Sequence, residues 1–304
     1  MISARTRREI RKALRKLWER RAWKPVVLLT VFIIVIGWYT AEQSPAFLSE
    51  FNLNSLLLAT LPLALVAMAQ VNALLVGYLD ISVGSMMTLG VIVASFIVVP
   101  GAGPVLIIVG LVAIVLTGVA VGLVNAGLIH GVKMPSIIAT LATLSIIDGI
   151  SLSLRPTPTG LIDFDVLDLV TTSVGFMPVA FIALIVLAVV WDYWLYRSSG
   201  GLTLRGVGYD LRASRRLGAS TTRIRVRALV LSGVMAALAS IFLAAQVGVG
   251  DPRAGQTFAL TSIAAAVLGG TSLGGGRGSF VGALVAALFL ALITNILPLL
   301  GLSN

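Results

Sequence analysis

From Val26 onward, apolar residues run in long stretches that are broken at intervals by glycine, proline or short polar clusters. Neither the alternation of a half-buried strand nor the one-sided stripe of a surface helix is present over most of this length. Runs of such purity predict helices that are apolar all round, and a bilayer-spanning helix needs about 20 such residues. The breaks place spans at 26–40, 53–77, 82–99, 104–129, 135–153, 174–196, 228–248, 257–272 and 279–299. Backbone groups in hydrocarbon have no water to bond, so only helices or closed barrels cross, and uninterrupted runs select helices. The expectation is an all-α, polytopic transmembrane bundle of about nine spans with broken helices, one domain over 26–304 behind a basic segment at 1–25.

Composition agrees with a chain solvated by lipid: 58% of residues are hydrophobic, 11% are charged, and the mean hydropathy is +1.04. The net charge of +10 raises nucleic acid as a partner, but its distribution argues against that. Ten of the 22 basic residues lie in the first 24 positions and eight lie between Arg197 and Arg227, each cluster beside an apolar span. That is the pattern by which positive charge holds loops on the cytoplasmic side of a membrane. With the N-terminus inside, nine alternating spans put 20 basic residues on the inner side and only Arg155 and Arg253 outside, with Asp163, Asp165 and Asp168. Residues 5–24 carry Ile10, Leu14, Leu17 and Trp18 at helical spacing among basic positions, which fits a short amphipathic helix on the inner face or a solvated tail. The first apolar run continues to Thr40, and Ala41-Glu42-Gln43 makes a poor cleavage site, so the run reads as an uncleaved span. There is no cysteine, and the single His130 cannot build a metal site alone.

Pro62, the Gly77–Gly84 region, Pro135 and the glycines between 269 and 278 interrupt helical runs. Irregular backbone is tolerated in a membrane only where protein or a water-filled cavity satisfies it, so these breaks mark either a pathway or tight helix packing. Four motifs surround them. In Gly77-Tyr78-Leu79-Asp80-Ile81-Ser82-Val83-Gly84-Ser85, Asp80 is the only acid between Glu50 and Asp148. With Ser82 and Ser85 it can cap the next helix or meet solute hydroxyls. In Met134–Ser145, the hydroxyls of Ser136, Thr140 and Thr143 share one helical face, lining a passage or bonding back to helix carbonyls. At the centre of 197–227, Tyr209, Asp210, Arg212, Arg215, Arg216, Leu217, Gly218 and Ala219 suggest a short helix and a glycine turn, either a knob for a soluble partner or a positively charged stop. Last, Asp251–Gln256 leads into an apolar run and the glycine cluster 269–278, which lacks the lysine of a phosphate loop, since no lysine follows Lys133. Any ATP must therefore be hydrolysed by another subunit.

With these four motifs in order, the chain from about Leu53 to Asn304 resembles the permease family of ribose-type monosaccharide ATP-binding-cassette (ABC) importers, and more distantly the branched-chain amino-acid permeases. The resemblance implies a multi-pass protein of the bacterial inner membrane. Two permease copies, alike or different, form the path, a periplasmic binding protein delivers solute, and two cytoplasmic ATPases drive transport. The permease itself is then neither an enzyme nor the holder of a cofactor. It further implies that Tyr209–Ala219 is the coupling helix seated in an ATPase groove, with Gly218 as its turn glycine, and that Asp80–Ser85 lies near the path. Asp148, an acid within a span, departs from the family's pattern, and relatives are expected to continue past Leu300–Asn304 with one more span. A stand-alone ion-coupled carrier or channel is the alternative, with Asp80 and Asp148 as its coupling acids. A membrane enzyme would need a nucleophile, a metal cluster or paired acids, and Asp163, Asp165 and Asp168 have no His or Cys near them in sequence.

Overall fold

The computed structural model describes residues 23–301. All of the expected amphipathic helix except Trp23 and Lys24 lies outside the described residues, as do 302–304. The described residues form twelve α-helices. In chain order they are α1 (Trp23–Gln43), α2 (Glu50–Leu75), α3 (Val83–Ile97), α4 (Pro104–His130), α5 (Ser136–Leu154), α6 (Phe164–Thr171), α7 (Val179–Arg197), α8 (Ser199–Tyr209), α9 (Leu211–Arg216), α10 (Thr221–Val247), α11 (Phe258–Leu268) and α12 (Phe280–Leu299). Short strands β1 (Thr159–Leu161) and β4 (Val249–Gly250) pair antiparallel, as do β2 (Ser173–Val174) and β3 (Met177–Pro178).

Seven helices, α1, α2, α4, α5, α7, α10 and α12, are long and apolar enough to cross a membrane. The spans expected at 82–99 and 257–272 are instead the shorter α3 and α11, of 15 and 11 residues. At about 1.5 Å per residue, α11 covers only about half of a ~30 Å hydrocarbon core. The missing half is irregular chain. Gly250 lies against Ser95 near the end of α3, while the Gly255 amide bonds to Thr88 Oγ1 at 3.0 Å, further back along the same helix. Residues 250–255 therefore run roughly 10 Å back along α3 before α11 begins.

The bundle is organised around α2, which is buried on all sides from Ala64 through Leu75, as expected of a helix with no polar face. It packs against α10, α12, α11 and α7, and α10 packs in turn against α4 and α3. Lipid tails are as apolar as leucine, so close packing has to draw the helices together. Glycines allow it: a Cβ on Gly233 of α10 would stand 2.2 Å from the Gly118 carbonyl oxygen of α4. The peripheral helices α1, α4, α5 and α7 bury only 17–28% of their most apolar windows, and the remainder faces outward as lipid contact requires. Pro62 lies inside α2 and cannot donate to the Leu58 carbonyl. Gln246 Nε2 from α10 donates there at 2.9 Å instead.

Three helices stop in the same way at one end of the bundle. Gly77, Gly218 and Gly270 adopt φ of +79°, +83° and +95°. Around each, the next two amides fold back onto the last helical turn, as when Tyr78 N donates to Ala73 O at 3.0 Å and Gly77 N to Leu74 O at 2.9 Å. That end also gathers Arg205, Arg225 and Arg277, stacked over Tyr196, Tyr78 and Tyr209. At the other end Arg155 donates to the Ser95 carbonyl at 3.1 Å, and Asp163 accepts from the Gly101 amide at 2.9 Å. The two ends differ in charge, with the arginines concentrated at the first.

The α4–α10 contact yields a paired prediction. Gly233→Ala places a methyl against backbone and is expected to cost about 1–3 kcal/mol. Gly127→Ala, on the open face of α4 where nothing lies within 4 Å, is expected to be neutral or to stabilise by up to about 1 kcal/mol. Thermal melts of the two purified variants in one detergent compare them, and an equal response of both would show that the glycine contact is not tight.

Candidate functional site

Between α2 and α3 the chain unwinds over residues 76–82, turning at Gly77 at the arginine-rich end and folding back so that Asp80 and Ser82 are buried, and polar side chains of four helices converge on it. Asp80 is 2% exposed. Its Oδ1 accepts from Ser82 Oγ at 2.6 Å, Ser82 N at 3.2 Å and Asn125 Nδ2 of α4 at 3.4 Å. Oδ2 accepts from Ser232 Oγ of α10 at 3.1 Å. Asn125 Nδ2 also reaches Ser82 Oγ at 2.8 Å, and Gln70 Nε2 of α2 donates to the Asp80 main-chain carbonyl. All of these partners are uncharged. The carboxylate therefore links α4 and α10 to the chain at Ser82, just before α3.

The hydroxyl stripe of α5 works on the same stretch of backbone. Leu79, which belongs to no helix, donates its amide to Ser136 Oγ at 3.4 Å, and its carbonyl accepts from Thr140 Oγ1 at 3.2 Å. Thr143 bonds within its own helix, to Ala139 O at 3.0 Å, and Ser85 bonds back to Ser82 O at 2.9 Å. The structure thus brings Asp80, Ser82, Ser136 and Thr140 to one unwound segment and spends their polar atoms on it. Thr140, Thr143, Ser82 and Ser85 are buried, and Ser136 is half-buried.

The segment 197–227 is almost wholly helical. Asp210 Oδ1 caps α9, accepting from the Arg212 and Ala213 amides at 2.8 and 2.9 Å. Gly218 terminates it, with the Gly218 and Ala219 amides donating to Arg215 and Ser214 carbonyls at 3.0 Å each. Arg215 Nε donates to Thr221 Oγ1 at 3.1 Å, tying the turn to α10. At the tip, Leu217 is 87% exposed, and Tyr209, nearer the base, is 73% exposed. The base is rigid: a Cβ on Gly208 would overlap the Leu75 carbonyl and stand 2.6 Å from Gly276 N, so α8 touches the ends of two other segments backbone to backbone.

Sequence reasoning passed over the partners that make these arrangements work. Gln70, Asn125 and Ser232 are isolated polar residues within apolar spans, and that isolation was the available signal. Asp192 of α7 was also passed over. It accepts from Ser279 Oγ at 2.6 Å, Phe280 N at 2.7 Å and Val281 N at 3.3 Å, capping α12 from a neighbouring helix. The polar Asp148 sits on α5 half-buried, with Oδ1 unpartnered among the described residues.

A bundle of apolar helices with a bonded, partly buried break between two of them and a rigid, basic, exposed knob at one end fits a membrane transport subunit. The chain belongs to the family described as branched-chain amino acid transport system / permease component, which matches residues 52–304. Similar proteins include the ribose import permease protein RbsC of Bacillus subtilis, 32% identical over 287 residues, covering 91% of this chain and 85% of that one. RbsC of Escherichia coli is 31% identical over 301 residues, covering 93% and 89%. The autoinducer 2 import system permease protein LsrC of Salmonella paratyphi B is 33% identical over 274 residues, covering 88% and 77%. No solved structure matches the chain.

Removing the Asp80 carboxylate leaves Ser82 N, Ser82 Oγ and Ser232 Oγ without their acceptor, while Asn125 Nδ2 keeps only Ser82 Oγ. Asp80→Ala is expected to destabilise the protein by about 2–4 kcal/mol, and Ser232→Ala, which removes one bond, by about 1 kcal/mol. Melting of the detergent-solubilised variants measures both, and a harmless Asp80→Ala would contradict the structural role.

Proposed function

We propose that this chain is the membrane-spanning permease subunit of an ABC importer that carries a monosaccharide or similar small polar solute into the cytoplasm across a bacterial inner membrane. It is a transport component and not an enzyme. Family membership over residues 52–304 supports the class, and the ribose and autoinducer 2 permeases named above support the solute range. The observation that carries the mechanism is the knob: Leu217, at the end of a capped, glycine-stopped helix, is left uncovered by the rest of the chain, and Tyr209 just before that helix is largely exposed. An exposed apolar tip among arginines suits a partner's groove. That partner is an ABC ATPase, which binds and hydrolyses ATP, while this chain holds no cofactor. Seated under Tyr209–Ala219, it lies on the cytoplasmic side, where the positive-inside rule puts the arginine-rich end. A periplasmic binding protein and a second permease copy, identical or not, complete the assembly. Asp80, Ser82, Ser136 and Thr140 hold the broken helix beside the solute path, with Ser85 and Thr143 alongside it.

Leu217→Asp tests the docking directly, because an 87% exposed side chain contributes little to the fold. The variant is expected to insert and melt like the parent, yet to lose the co-purifying ATPase and to lower ATP-driven uptake about tenfold or more. Gly218→Arg, which also strains a left-handed turn, is expected to do the same with some loss of stability. Unchanged uptake by Leu217→Asp in cells lacking a second permease gene would overturn the assignment. Uptake that survives ATP depletion but collapses with a protonophore would favour an ion-coupled carrier.

A further inference from the structure

A groove of about 940 Å³ lies at the arginine-rich end, between the start of α1, the end of α7 and the glycine-rich chain that leads into α12. We propose that it seats the headgroup of an anionic phospholipid of the surrounding leaflet. Its charge favours an anion: Arg197, Arg205 and Arg277 line it against the single acid Asp192, both of whose oxygens are occupied in capping α12. Arg205 lies 4.5 Å above the Tyr196 ring, and its buried Nε finds no hydrogen-bond acceptor among the described residues. A guanidinium held flat in this way presents donors in the fork that phosphate oxygens accept.

The remaining walls select a lipid over a soluble anion. Val26 lies in the first turn of α1, Val281 at the start of α12 and Val189 about two turns deeper along α7 than Arg197, so the groove is cationic at its mouth and apolar toward the bilayer interior. Exposed Trp23 and Tyr193 stand at its rim, the residue types that anchor at headgroup depth. Its sides are α1 and α7, two of the outward-facing helices, so the opening gives onto lipid. Nine basic residues precede Trp23 in the chain, and a basic cluster beside a membrane span favours anionic lipid.

The full-length chain purified in dodecyl maltoside, examined by native mass spectrometry, tests the site with three probes. These are dioleoyl phosphatidylglycerol, dioleoyl phosphatidylcholine with the same acyl chains, and glycerol 3-phosphate without chains. Two net positive charges at the headgroup predict a preference for phosphatidylglycerol over phosphatidylcholine on the order of thirtyfold. The double variant R205Q/R277Q is expected to lose that preference. Val189→Trp, at an exposed position, fills the apolar floor without touching an arginine and is expected to lower phosphatidylglycerol retention several-fold. Equal retention of the two lipids, undiminished retention in either variant, or binding of glycerol 3-phosphate as tight as that of the lipid overturns the proposal.

Discussion

A peptide group in hydrocarbon must find its hydrogen bonds inside the protein, and every irregular feature of this bundle answers that demand. The carbonyl freed by Pro62 is met by Gln246, the exposed peptide of Leu79 by Ser136 and Thr140, and the Gly255 amide by Thr88. The Leu75 carbonyl, left over at the end of α2, is met by the Gly276 amide at 2.9 Å. In each case the answering group comes from a different segment. Satisfying the backbone therefore also fixes which helices are neighbours, and the polar residues of the spans serve as the cross-links of a core that hydrophobicity alone would leave unspecified.

Much of the helical layout was legible in the chain, because apolar runs long enough to cross a membrane leave few alternatives. The run read as 104–129 is Pro104–His130, and that read as 279–299 is Phe280–Leu299. Boundaries drifted where charge and helicity disagree: α10 starts at Thr221, not 228, because Arg223, Arg225 and Arg227 end the apolar pattern without ending the helix. The spans read at 82–99 and 257–272 overran α3 and α11 by a few residues, since hydropathy does not register where Val98 and Gly269 end the hydrogen-bonded helix. Of the candidate site, Asp80 and the α5 hydroxyls could be singled out by their type and spacing. Their partners could not, because Ser232 lies 152 positions from Asp80 and Ser279 lies 87 from Asp192, and no periodicity links such pairs.

The two ends of the molecule carry different chemistry. One is closed by short strand pairs, the Asp163 cap and Arg155 laid 4.0 Å over Phe96. The other is basic and aromatic, with a groove that opens on the bilayer and a knob that opens on water. Aromatic stacking allows this density of arginine at a membrane boundary: each ring provides a face that accepts positive charge without requiring an acid nearby.

The junction beneath the knob has a mechanical consequence. Where Gly208 meets Leu75 and Gly276, main chain bears on main chain, and no side-chain rotamer is interposed to absorb a displacement. A tug on the tip is delivered undamped to the foot of the central helix and to the hinge that feeds the last one, so the three move as a single lever or the contact breaks.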